Sequence, residues 1–197
     1  MKKNKNNSRN PKSSNSAKRN ESANPKQKAE SVCLIQETGV TNMKTLDELM
    51  ESAKKYGEDC IRSSGGFDPT LFHFGKKGLI KVVAYIANGD QGKDTFAKVA
   101  TLSCKSNDAT MCACVSNVWV AGITPSKESG TFTAPSQCPD RREMIFVSGE
   151  SHSEGQKIIL LPVNRGANGK FSDFGAPLVL DTNETQCGGR YAQYLPK

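Results

Sequence analysis

Histidine and tryptophan are scarce in this chain of 197 residues, which has two of the first and one of the second. Its seven cysteines include no Cys-x-x-Cys pair, and the spacings of a structural zinc site are absent. No window approaches the ~18 consecutive apolar residues of a membrane span, so no membrane partner is expected. No apolar core follows the basic start, which rules against a secretory signal. No HExxH, GxSxG or glycine-rich phosphate loop occurs, and the glycines of GGFDP, NGDQGKD and RGANGK sit in turn-forming contexts. These shortages argue against the common metal, hydrolase and nucleotide-binding frameworks. They predict no metal and no cofactor.

Net charge is missing from most of the chain. The whole sequence carries 27 Lys/Arg and 20 Asp/Glu, a formal net of +7. Residues 1–30 alone hold nine basic and two acidic residues, also +7, so residues 31–197 balance at 18 of each sign. The basic character therefore belongs to an Asn/Ser-rich N-terminal segment with almost no apolar side chains. Such a segment cannot bury enough area to offset its ordering entropy, and the expectation is a disordered tail over 1–30. Its Lys2, Lys3, Lys5, Arg9, Lys12, Lys18 and Arg19 would attract phosphate without reading sequence. A solubilising spacer explains the same residues.

The remaining 31–197 read as one α+β domain. VCLI at Val32–Ile35 is an edge strand or docking segment. Thr45 and Glu48 make a capping-box pattern, followed by Leu46, Leu49, Met50, Ala53 and Tyr56 on one helical face, with Gly57 as a stop. PTLFHFGKKGLIKVVAYIANG predicts a hairpin turning at Gly75–Gly78. A second helix carries the stripe Phe96, Val99, Ala100 and Ser103. MCACVSNVWVAG, Met111–Gly122, predicts a long strand covered on both faces, and Thr124–Cys138 a surface loop. EMIFVS and KIILLPV are two further strands, NRGANGKFSDFG is a loop, and Ala176–Leu180 closes the sheet. Short connections favour a mainly antiparallel sheet of 5–6 strands with two helices packed on one face. The element order is similar to profilin-like and roadblock-like modules.

Candidate chemical groups are few. Cys112 and Cys114 share a strand face and read as small core fillers. A catalytic pairing with His73 is the enzymatic alternative. Glu150, His152 and Glu154 cluster in one hairpin turn. Arg141 and Arg142, in Asp140–Glu143, head the candidate binding residues, because paired arginines clasp phosphate or carboxylate. Asn117 joins them, since a polar pair Ser116–Asn117 inside an apolar strand must find partners or reach a groove. Arg190, Tyr191 and Tyr194 mix basic and aromatic groups near the end. Scattered cysteines in a chain large enough to build its own core suggest reduced thiols and a cytoplasmic location.

PTLFHFG, VSNVWVAG and CPDRREMIFVSGE, with the two helices between them, resemble a family of uncharacterised small bacterial and phage proteins over residues 44–163. The resemblance implies an α+β architecture and no established activity. Members show an acidic residue inside a Ser-x-x-Trp pattern, where this chain has Asn117. The functional expectation is a small non-enzymatic partner-binding or regulatory module, with self-association among its modes. The alternatives are a nucleic-acid-associated protein tethered by its tail and a cytosolic Cys/His enzyme.

Overall fold

The computed structural model describes residues 32–85, 89–121, 137–181 and 193–195. The proposed tail and the loop expected over most of Thr124–Cys138 lie outside them, as do Arg190 and Tyr191. Ten elements follow in order: β1 (Val32–Glu37), α1 (Leu46–Ser64), β2 (Thr70–Gly75), β3 (Gly78–Tyr85), α2 (Gly89–Ser106), β4 (Met111–Val120), β5 (Arg142–Ser151), β6 (Gly155–Arg165), β7 (Phe171–Phe174) and β8 (Leu178–Asp181). All pairings are antiparallel, in the order β1-β3-β2-β4-β5-β6-β7, with β8 also on β6. The α+β class holds, but the sheet has eight strands among the described residues rather than five or six. The extra strand in the C-terminal half is β7. It was hidden in a glycine-rich stretch, and its short FSDF pairs with the end of β6 across a register shift.

The helices do not share a face. One buried cluster joins Leu46, Leu49, Met50, Ala53 and Ile61 of α1 to Phe72, Met111, Ala113, Val115, Ile145, Val147, Ile159, Leu161 and Val163. A second joins Phe96, Ala100 and Cys104 of α2 to Leu71, Ile80, Val82, Ala84, Cys112 and Cys114. Along β2 and β4 the two sets alternate residue by residue, so they lie on opposite faces of one sheet. The expected one-sided packing is therefore corrected to one helix on each face. The reason is visible in β4, where Met111–Ser116 is buried at every position. A strand without a solvent face needs a covering layer on both sides.

Helix α1 begins as its sequence indicates. Thr45 Oγ1 accepts from Glu48 N at 3.2 Å, while Glu48 Oε2 accepts from Lys44 N at 2.8 Å. Asp47 and Glu48 place negative charge in the first turn, where the helix dipole favours it. The helix does not stop at Gly57. A Cβ there would meet Phe67 Cζ at 3.0 Å and the Ile145 and Val115 methyls at 3.1 Å. That glycine lets α1 lie close against β4 and β5, which outweighs its ~1 kcal/mol helix penalty. The helix ends instead at Gly65, whose φ of 77° makes a left-handed cap bonded to Ile61 O.

A candidate binding corner on the α1 face

Beyond the C-terminus of α1, three strands present a polar row on the same face. Asn117 of β4, Glu143 of β5 and Arg165 of β6 each follow the apolar positions that pack under α1. Glu143 is only 8% exposed. Its Oε2 accepts from Arg165 Nε at 2.6 Å, and its Oε1 accepts from Arg165 Nη2 at 2.6 Å and Asn117 Nδ2 at 3.0 Å. Arg165 Nη2 also donates to Gly65 O at 2.7 Å, tying the helix end to the sheet. The Arg165 guanidinium beside Glu143 holds its carboxyl below the usual range, helped by Asn117 and opposed by burial. Two-point Arg–carboxylate bonding fixes both side chains, so this row is a rigid floor.

Above the floor stands Trp119, one step further along β4 and directly paired with Glu143. It is 44% exposed, which is unusual for the largest apolar side chain. The Arg141 guanidinium lies 4.8 Å from its ring centroid, a cation–π stack. An open hollow of about 460 Å³ is lined here by Trp119, Arg141, Arg142, Glu143, Arg165 and the Pro162–Asn164 segment. Its size falls in the range of ordinary small-ligand sites. The hollow brings Arg141 and Arg142 together with the network that holds Asn117. Sequence reasoning missed Trp119, Glu143 and Arg165 as members. Trp119 was read as filling a covered strand, and Arg165 sat in a presumed loop.

The other candidates are placed elsewhere. His73 and Cys112 are direct cross-strand partners on the α2 face, so the structure does bring them together. Both are buried, with exposures of 0% and 1%. His73 Nε2 lies 2.8 Å from Ser103 Oγ, and its Nδ1 lies 3.2 Å from Asn107 Nδ2. Asn107 is oriented by two further bonds, accepting from Lys77 N at Oδ1 and donating to Gly78 O from Nδ2. An amide N–H pointing at Nδ1 requires that nitrogen to accept, which puts the ring proton on Nε2. A Ser–His base needs the reverse tautomer. Ser103, His73 and Asn107 thus form a structural latch between α2 and the β2–β3 hairpin. Burial drives the His73 pKa down to about 4, keeping the ring neutral.

Cys112 donates to Glu150 Oε1 at 3.2 Å, and Cys114 Sγ accepts from Tyr194 Oη at 3.7 Å. Burial pushes both thiols up, Cys112 well above its ordinary value and Cys114 to about 12. A buried protonated thiol is a poor nucleophile. Glu150 also accepts from the backbone N–H groups of Tyr194 and Leu195, so it clasps the C-terminal segment. Tyr194 is 2% exposed against Phe96, and in this segment it is a core residue. Glu154 accepts from Leu46 N at 2.8 Å and so caps α1. The Glu150, His152 and Glu154 turn therefore sends its two carboxylates to separate structural tasks. Among the described residues no group of three or more His, Cys, Asp or Glu is placed to hold a metal. Ser116 is 1% exposed and its hydroxyl has no hydrogen-bond partner among the described residues, whereas Asn117 has one.

Compared with known proteins, the chain matches no family model, no curated protein and no solved structure. Among the described residues, no helix is long and apolar enough to cross a membrane.

Proposed function

We propose that this protein is a small non-enzymatic binding module that receives its partner in the hollow at Trp119 and Arg141. One observation carries the reading: a solvent-facing aromatic–guanidinium stack stands on an immobilised Glu143–Arg165–Asn117 floor. Binding sites combine such exposed Trp and Arg anchors with rigid support. The stretches behind the resemblance to the small bacterial and phage family, VSNVWVAG and CPDRREMIFVSGE, supply Asn117, Trp119, Arg141, Arg142 and Glu143 of this corner, and β6 supplies the rest. The latch around His73 and the buried thiols favour a binding role over Cys/His catalysis. Cys33, Cys60, Cys104, Cys112 and Cys114 are free thiols.

The test compares the full chain with a Trp119→Ala/Arg141→Ala double variant in affinity capture from its own cells. Partners retained by the first and lost by the second are expected, with unchanged melting temperature. Equal capture by both would remove the reading.

A second reading, self-association, is favoured by β1, which pairs on one side only among the described residues. Leu34 and Ile35 are 47% and 53% exposed there, and VCLIQE contains neither lysine nor proline. Such an edge is unprotected against pairing with another strand. A sizing-column shift to larger species that Leu34→Lys abolishes would support it. A monomer at high concentration would dismiss it.

A further inference from the structure

We infer that β8 is a docking edge for a second copy of this chain, the two β8 strands pairing antiparallel about a two-fold axis at Val179. The inference is independent of the hollow at Trp119, and its test separates it from the β1 reading.

Residues 155–162 of β6 pair with β5, so β7 and β8 both occupy the opposite side of β6. They run end to end there as FSDF, GAP and LVLD. The β7 half is protected in the usual ways: Ser172 and Asp173 are polar and exposed, and the connection ends in Pro177, which offers no N–H. The β8 half has no such protection. Leu178, Val179 and Leu180 are 54%, 56% and 41% exposed, three consecutive apolar side chains spread over both faces. Among the described residues, β8 pairs with β6 alone. An open apolar strand edge is a template for another strand.

Three features select a second copy as that strand. The first is symmetry. Leu-Val-Leu reads the same in both directions. A two-fold at Val179 sets Val179 against itself and Leu178 against Leu180 on one face, so every opposed pair is apolar. Shifting the axis by one residue, to Leu180, would set Val179 against Asp181. The second is charge. Asp181 is the only charged residue of β8. Antiparallel pairing sets it against Pro177 and keeps the two Asp181 positions at opposite ends of the interface, whereas parallel pairing would oppose them. The third is continuity of the apolar surface. Phe146, Leu160 and Leu178 form one row across β5, β6 and β8, with the first two half-buried. The two-fold extends that row into Leu180 and Ile158 of the second copy. So short a ladder falls below the ~800 Å² per partner of a stable dimer, which makes this a weak pair with a Kd of roughly 10 μM to 1 mM.

Sedimentation of the full-length chain from about 10 μM to 1 mM brackets that range. A concentration-dependent dimer is expected. Val179→Lys sets like charges directly opposite and should weaken it roughly tenfold or more, with the melting temperature unchanged. Leu34→Lys, on the far edge of the sheet, should leave it intact. Crosslinking reads the register and keeps the test open should Val179→Lys fold poorly. Directly opposed Cα atoms lie about 4.5–5.5 Å apart, within disulfide reach, whereas a two-residue offset gives roughly 8 Å, beyond it. With diamide as the thiol oxidant and the parent chain as background, Val179→Cys should crosslink to itself. Leu178→Cys and Leu180→Cys should crosslink poorly alone and readily when mixed.

A monomer at every concentration overturns the inference, as does a dimer that survives Val179→Lys. Loss of the dimer in Leu34→Lys would overturn it in favour of β1. Equal self-crosslinking by Leu178→Cys and Val179→Cys would show that the register is wrong and would also overturn it. A chain that stays monomeric yet loses a captured partner in Val179→Lys would mean that the edge receives a different protein, and the second-copy assignment would fall.

Discussion

Acid should destabilise this protein through His73 before it reaches the carboxylates. The ring is fully buried, and its Nδ1 accepts from an asparagine whose orientation is fixed by two further bonds. Protonation would set N–H against N–H and leave a cation among apolar groups. The folded pKa is about 4 against an unfolded value of 6.5. A base whose pKa is lowered on folding contributes its stability above the unfolded value and loses it as pH falls toward the folded one. The slope in that window is about 1.4 kcal/mol per pH unit, so a loss of about 2–3 kcal/mol is expected between pH 7.5 and 4.5. With a urea m-value of about 2 kcal/mol per molar, the midpoint should fall by roughly 1 M. Urea titrations followed by circular dichroism, at pH steps across this range, measure it. His73→Gln will cost stability at every pH, so the readout is the slope and not the offset. The variant should be flatter than the parent between pH 6.5 and 4.5. Parallel curves for the two proteins would refute the reasoning.

Three further outcomes are expected. Glu143→Ala leaves Arg165 and Asn117 without their shared acceptor and should cost about 3 kcal/mol. Because the Glu143 pKa is lowered on folding, its contribution is complete above the unfolded value of about 4.3 and is lost as pH falls through the folded one; Glu143→Gln should show less destabilisation on acidification than the parent, and a loss under ~0.5 kcal/mol for Glu143→Ala would show that the network is idle. Gly57→Ala gains ~1 kcal/mol of helix propensity but forces a methyl against Phe67, Ile145 and Val115, an overpacking cost of about 1–3 kcal/mol; chemical denaturation should find a net loss, and a more stable variant would contradict the close approach of α1 to the sheet. Cys112 and Cys114 should resist a thiol reagent in the native protein and react on unfolding, so rapid native labelling, mapped by mass spectrometry, would count against their burial.

Local order was largely legible in the residues. Thr45 and Glu48 announced α1, the Gly75–Gly78 turn announced the β2–β3 hairpin, and the alternation in MCACVSNVWV announced a covered strand. These signals are short-range, set by hydrogen bonds and side-chain period within a few residues. The errors came where distant segments decide. Gly57 reads as a helix stop until Phe67, Val115 and Ile145 are seen crowding it. FSDF reads as loop because four residues show little periodicity, and only pairing with β6 makes them a strand. The two-faced burial of β4 already required a layer on each side, yet strand order and helix side depend on crossover connections that periodicity does not encode.

The candidate corner divides in the same way. The sequence by itself determined that the net positive charge is confined to residues 1–30, that Arg141 and Arg142 head a strand, and that Asn117 interrupts an apolar one. Charge, spacing and alternation are properties of the chain. Only the tertiary structure decided that Asn117, Glu143 and Arg165 meet across three strands, that Trp119 stands exposed above them under Arg141, and that His73 is held in the tautomer whose Nε2 cannot take the Ser103 proton. Those outcomes depend on register across β4, β5 and β6 and on which groups close packing shields from water. Both are settled between elements far apart in sequence.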